Sequence, residues 1–185
     1  RGFVGGYEME TLSLGLPFMA AFLNPGAWGR DFTRAMDQYD HMAGMWLVGE
    51  DMPRESNRIT LNTDVKDTYG MPVANVHYDD HSNDVAMRQH AFERGEAIYN
   101  AVGATETIRT PPYPSTHNLG SCRMSEKAQD GVCNGVGQSH DIPNLFISDG
   151  SQFTTSAAEN PTLTIVALAL RQSEKMGQML KQGTV

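Results

Sequence analysis

A proline at position 161, placed between Asn160 and the run Thr-Leu-Thr-Ile-Val-Ala-Leu-Ala-Leu, constrains this chain more than any other feature. Proline lacks an amide hydrogen and has a fixed φ, so a helix accepts it in its first turn and is broken by it elsewhere. Asn160 therefore reads as a helix N-cap, with Pro161 at the first helical position. Leu163, Ile165, Val166, Leu168, Ala169 and Leu170 then surround the axis, which predicts burial of the first two turns. Beyond Arg171 the apolar residues thin to Met176, Met179 and Leu180, and the helix is expected to return to the surface.

The chain ahead of that helix divides by period. Residues 1–30 are rich in Gly, Met and Phe, with a turn at Asn24-Pro25-Gly26, and read as a segment that needs a partner surface. A short helix is expected over 32–39 and strands over 41–49, 58–61 and 73–78. Ser82 or Asn83 is expected to cap a helix running to about Val102. Val85, Ala91, Phe92, Ile98 and Tyr99 form its apolar face, and Gly103 closes it. A further strand is expected at 105–108. Pro111, Pro112 and Pro114 then mark the main internal boundary, between antiparallel strands with a covering helix and a loop, one strand and one long helix. The expected fold class is α+β, in three parts: 1–30, 31–112 and 113–185.

Charge and apolar runs exclude several roles. The formal charge of −8 is spread along 185 residues with no basic cluster, which disfavours nucleic acid as a partner. No apolar run approaches the roughly 18 to 20 residues that cross a bilayer, so no transmembrane segment is expected in this chain. The first residue is Arg1, and nothing near it has the pattern of a signal sequence, which suggests a fragment or a processed chain. Cys122 and Cys133 are too few for a disulfide framework and are expected as two unpaired thiols. His77, His81 and His90 have no third ligand at a diagnostic spacing, so no metal site is assigned.

Three pieces near the C-terminus carry chemistry. One is a histidine loop, Ser115-Thr116-His117-Asn118-Leu119-Gly120-Ser121-Cys122. Another is residues 144–151, an apolar stretch read as a strand that ends in Asp149-Gly150. The last is the helix start, Glu159-Asn160-Pro161-Thr162. Free amides and the positive end of the helix dipole favour developing negative charge at such a helix start. An imidazole alongside can take a hydroxyl proton, and the Asn160 carboxamide can hold the same oxygen.

These pieces resemble the C-terminal signature of the glucose–methanol–choline oxidoreductase family, closely over about 113–180 and loosely over 40–110. The resemblance implies a substrate-binding part at 31–112, and at 113–185 a return of the chain to complete an FAD-binding fold. It implies His117, followed three residues later by Gly120, as catalytic base, and Asn160 as the second catalytic position. Asp149 and Gly150 fall where the family contacts the ribityl and diphosphate region of FAD, and Pro161 and Thr162 where it faces the flavin pyrimidine edge. The wording Asn-Pro-Thr-Leu-Thr is similar to sugar- and polyol-oxidising members, among them the gluconate, fructose and sorbitol dehydrogenase large subunits. The implied activity is oxidation of a CH–OH group of an alcohol, sugar or polyol by hydride transfer to flavin N5. Some such members are periplasmic or membrane-associated.

No Gly-x-Gly-x-x-Gly occurs in the sequence. The family's dinucleotide-binding unit is therefore expected in a separate N-terminal FAD-binding part, and this chain alone is not expected to retain FAD. That absence keeps open a different reading, a non-catalytic module docking on a separate flavin or electron-transfer subunit. Plainer readings also stand beside each site residue: His117 as an ordinary loop histidine, Asn160 as only a cap, and Asp149 as a turn former.

Overall fold

A computed structural model of the chain describes residues 1–12, 15, 28–112 and 116–185. It is α+β, with two separate two-stranded antiparallel sheets and three α-helices among the described residues. The turn expected at 24–26, and Pro114 and Ser115, lie outside those residues.

The first sheet pairs β1 (Tyr7–Leu12) with β2 (Gly44–Gly49), in a register running from Tyr7 opposite Gly49 to Leu12 opposite Gly44. Strand β1 lies in residues 1–30, where no strand was expected. Tyr7 and Met9 alternate with Glu8 and Glu10, and the pleat sends each pair to its own face. Helix α1 (Gly29–Asp37) starts three residues before the expected position. A 3-10 turn, Tyr39–His41, follows it, so β2 begins at Gly44 rather than at 41.

Helix α2 (Ser82–Ala101) packs on β2 and, less extensively, on β1. Met87, Ala91 and Gly95 lie on its buried face, at the one-turn spacing that puts side chains on the same side of a helix. Opposite them stand Met45, Leu47 and Gly49, alternate residues of β2 that share one face. The two glycines set the spacing: a Cβ at Gly49 would stand 2.7 Å from Met87 Cε. The cap of α2 corrects the choice of Ser82 or Asn83. The His81 ring accepts from the Asn83 amide at 3.0 Å, while Asp84 accepts from the His81 amide at 3.3 Å, closing a capping box.

Strands β3 (Arg58–Lys66) and β4 (Pro72–His77) form the second sheet, with an irregular register between Leu61 and Lys66. The expected pairing is present. The helix of this part, however, covers the β1–β2 sheet, and Ile59, Leu61 and Val76 of the ribbon are exposed.

No strand forms at 105–108. The segment is held to α2 by a side chain instead of a ladder. Arg109 donates to both oxygens of Glu96, at 2.5 and 2.8 Å, and its guanidinium lies 5.3 Å from the Phe92 ring centroid. The stretch 144–148 is not a regular strand either. Phe146 makes one bridge to Gln138, because its only ladder partner among the described residues is the turn at 137–139.

Replacing Met87 by Ala is expected to lower stability by about 3 kcal/mol, the usual cost of emptying a buried methionine site. Gly95→Ala is expected to be neutral or slightly stabilising, since its Cβ would meet Met45 Sδ at 3.8 Å and Leu47 Cδ2 at 3.9 Å, ordinary contact distances. Denaturant midpoints of the two variants check both.

Candidate active site

The histidine loop and the acidic turn are stitched together along their backbones. The amides of Gly120, Cys122 and Met124 donate to the carbonyls of Gly150, Ser151 and Gln152 at 3.3, 2.8 and 2.8 Å. Gly120 holds φ at +84°, a conformation L side chains rarely adopt. A Cβ on Gly150 would lie 2.5 Å from Leu119 Cδ2 and 3.2 Å from Ile165 Cδ1, so glycine is what lets loop, turn and helix meet there. His117, half-buried, therefore sits in a loop seated against the Asp149-Gly150 turn and the first turn of helix α3 (Thr162–Gln182).

Asp149 caps a 3-10 turn, Gly150–Gln152. Its Oδ1 accepts from the Ser151 amide at 2.8 Å and the Ser151 hydroxyl at 2.5 Å. These two donors hold its carboxyl below the usual aspartate value.

The start of α3 differs from expectation in two respects. Pro161 occupies the cap position, helical hydrogen bonding begins with the Ile165 amide donating to the Pro161 carbonyl at 3.0 Å, and no side chain caps the helix. Asn160 is not the N-cap, because its carboxamide is drawn elsewhere: Nδ2 donates to Glu10 Oε1 on β1 at 3.2 Å. The first two turns are also not buried, with Leu163 81% and Leu170 65% exposed. Their periodicity marks an apolar surface, and among the described residues nothing covers it.

Next to Asn160, three carboxylates gather. Glu8 stands beside Glu159 and Glu10, and its Oε1 is buried with no hydrogen-bond partner among the described residues. Loss of water, then these acidic neighbours, raise its carboxyl from 4.5 to about 7. A second tie joins the same regions: the Asp51 amide donates to Ser156 Oγ at 2.7 Å. The charge pattern of Glu8 and Glu10, two residues apart on one strand face, was the available signal for this arrangement.

The stretch 125–140, which carries no recognisable pattern, fastens the site from behind. Gln172 of α3 is buried and donates to the carbonyls of Val136 and Ile147 at 3.1 and 2.7 Å. Arg171 donates to the Gly135 carbonyl. Cys122 and Cys133 are both free thiols, and Cys133 Sγ donates to the Cys122 carbonyl at 3.3 Å. His77 pairs with Asp79, His81 caps α2, and the His90 ring meets the Tyr7 hydroxyl at 2.9 Å, so these three histidines have separate structural uses.

Two outcomes follow for stability. Because the Glu8 pKa is raised on folding, its contribution is fully present below pH 4.5 and is lost as pH rises through about 7. Denaturant unfolding between these values is expected to show that loss, and Glu8→Gln to flatten it. Gly137→Ala forces a side chain onto a φ of +77° and 2.6 Å from the Ile147 carbonyl oxygen. A loss of about 2 kcal/mol or more is expected in the same measurement.

The family model for GMC oxidoreductases matches residues 53–169, which include His117, Asp149, Gly150, Asn160, Pro161 and Thr162. The 2-methyl-1,2-propanediol dehydrogenase of Mycolicibacterium austroafricanum is 38% identical, over 94% of this chain and 33% of that protein. The fructose dehydrogenase large subunit of Gluconobacter japonicus is 33% identical, over 77% of this chain and 26% of the subunit. The gluconate 2-dehydrogenase flavoprotein of Pantoea cypripedii is 28% identical, over 90% and 29%. The chain thus spans about a quarter to a third of the length of these relatives. A family match over more than half of the chain, falling on the stitched loop, turn and helix start, means that this chain belongs to the GMC oxidoreductase family and represents its C-terminal region.

Proposed function

We propose that this chain is the C-terminal part of an FAD-dependent oxidoreductase that oxidises a CH–OH group of an alcohol, sugar or polyol. The observation that carries the reading is the seating of the His117 loop on the Asp149-Gly150 turn and the first turn of α3. Relatives named for a diol, for fructose and for gluconate support a hydroxylated substrate.

The residues present fit a flavin. Among the described residues no side chain caps α3, which leaves the amides of its first turn and the positive end of its dipole available to an electron-rich ring edge. Pro161 and Thr162 would border that edge. Asp149 and Gly150 would border the ribityl and diphosphate region, Gly150 because its missing side chain keeps the turn tight. When bound, FAD supplies the hydride acceptor.

The chain's own residues handle the proton and the oxygen. His117 takes the substrate hydroxyl proton as general base, which raises electron density on oxygen and weakens the adjacent C–H bond. Asn160 holds the same oxygen through an N–H of its carboxamide and so fixes the carbon's approach. A separate N-terminal part would provide the dinucleotide-binding unit, and an electron-transfer subunit is a partner compatible with this arrangement.

His117→Ala in the flavin-loaded enzyme is expected to slow flavin reduction by substrate about 10²- to 10⁴-fold, the usual worth of a general base. Stopped-flow bleaching of the flavin under anaerobic conditions measures it. An unchanged rate removes His117 from the mechanism.

A further inference from the structure

The Asn160 carboxamide is reached from the far end of the chain, by a strand that lies outside the family match. We propose that Glu10 is a positioning residue, which sets the orientation of the Asn160 carboxamide from strand β1; this rests on the reading of Asn160 as the group that holds the substrate oxygen.

An asparagine amide has one accepting oxygen and two N–H donors, and rotation by half a turn exchanges them. A carboxylate accepts only. With Glu10 Oε1 3.2 Å from Nδ2, the amide end that faces β1 is the nitrogen, and one N–H is committed to Glu10. The remaining N–H and the Oδ1 then have defined directions. In this setting one N–H remains for the substrate oxygen, and the flipped amide is disfavoured because it would turn Oδ1 against a carboxylate.

Glu10 is itself well anchored. Its backbone lies in the β1–β2 ladder opposite Trp46, inside a six-residue register. The Asp51–Ser156 hydrogen bond holds the end of the same sheet to the segment leading into Asn160, so strand and amide approach at two points rather than one. Asn160 makes no cap on α3, which frees its carboxamide for this use.

The neighbouring carboxylates are compatible with the same function. Glu8 stands beside Glu10 and Glu159, and a carboxyl next to two others is favoured in its protonated form. Burial and these neighbours raise the Glu8 carboxyl to about 7, so below that pH it adds no second negative charge beside Glu10.

The test uses the flavin-loaded enzyme and the variants Glu10→Ala, Glu10→Gln, Asn160→Ala and Glu10→Ala with Asn160→Ala. Flavin reduction is followed at saturating alcohol, using the diol, fructose or gluconate that reduces the wild type. Glu10→Ala and Asn160→Ala are each expected to slow reduction about tenfold, the usual weight of a hydrogen bond to a charged group. The double variant should be no slower than the slower single one. Glu10→Gln, whose side-chain oxygen still accepts, should recover most of the rate.

An independent readout comes from enzyme labelled with ¹⁵N-asparagine. The side-chain amide signal that disappears in Asn160→Ala should have one downfield proton in the wild type and lose that shift in Glu10→Ala. Slow Asn160→Ala with unchanged Glu10→Ala, additive losses, or an unchanged amide signal in Glu10→Ala each overturn the positioning role alone. Unchanged reduction in Asn160→Ala overturns the reading of Asn160 and the inference with it. If Glu10→Ala does not fold, Glu10→Met, which keeps the stem and removes the acceptor, takes its place.

Discussion

Three backbone hydrogen bonds between residues 120–124 and 150–152 are the constraint on which the site depends. A loop such as the one around His117 has many conformations in the unfolded chain, and fixing even a few residues costs about 1–2 kcal/mol of backbone entropy each. Here the ordering is done by main-chain groups, which every residue possesses, so the side chains remain available for chemistry. Gly120 supplies the left-handed turn that lets the loop enter the pairing, and Gly150 supplies the close approach to Leu119 and Ile165. Gln172 then grips the next layer by two main-chain carbonyls, which ties the long helix to the same frame.

Local features of the chain were legible in the sequence, and long-range ones were not. The turn at Asp149-Gly150, the helix from Ser82 to about Val102, and the β3–β4 pairing depend on neighbouring residues, and they appear within a few positions of where they were expected. Asn160 shows the opposite case. Its residue type and its place before a proline fit a cap, yet a carboxylate 150 positions earlier takes its amide and Pro161 becomes the cap. Similarly, the periodicity of α3 located an apolar surface without revealing what covers it, since periodicity is a property of one helix and burial a property of two bodies. The stretch at 105–108 had a strand's composition but pairs with no strand among the described residues, and an Arg109–Glu96 pair ties it to α2 instead.

The two halves of the described structure also differ in how they are held. The β1–β2–α2 body has a small apolar core around Met87 and Ala91. The C-terminal part is held mainly by polar contacts between turns, with Gln152 and Gln172 among its buried residues and Asp149 among its exposed ones. A polar frame fixes the site's geometry, because each buried amide has a defined partner and a defined direction. Its cost is intolerance: the glycines that allow these turns to close have no substitute of similar shape.

The two free thiols of the 122–133 region give the protein a chemical asymmetry. Cys133 is 0% exposed and its thiol is pushed up by burial and by Cys122, whereas Cys122 is only half-buried. Reaction with an alkylating reagent proceeds through the thiolate and needs access, so Cys122 is labelled first and Cys133 only when the turn around it opens. The ratio of label at the two sulfurs therefore reads, in a mass spectrum, whether the frame behind the histidine loop is closed, without any cofactor or substrate present.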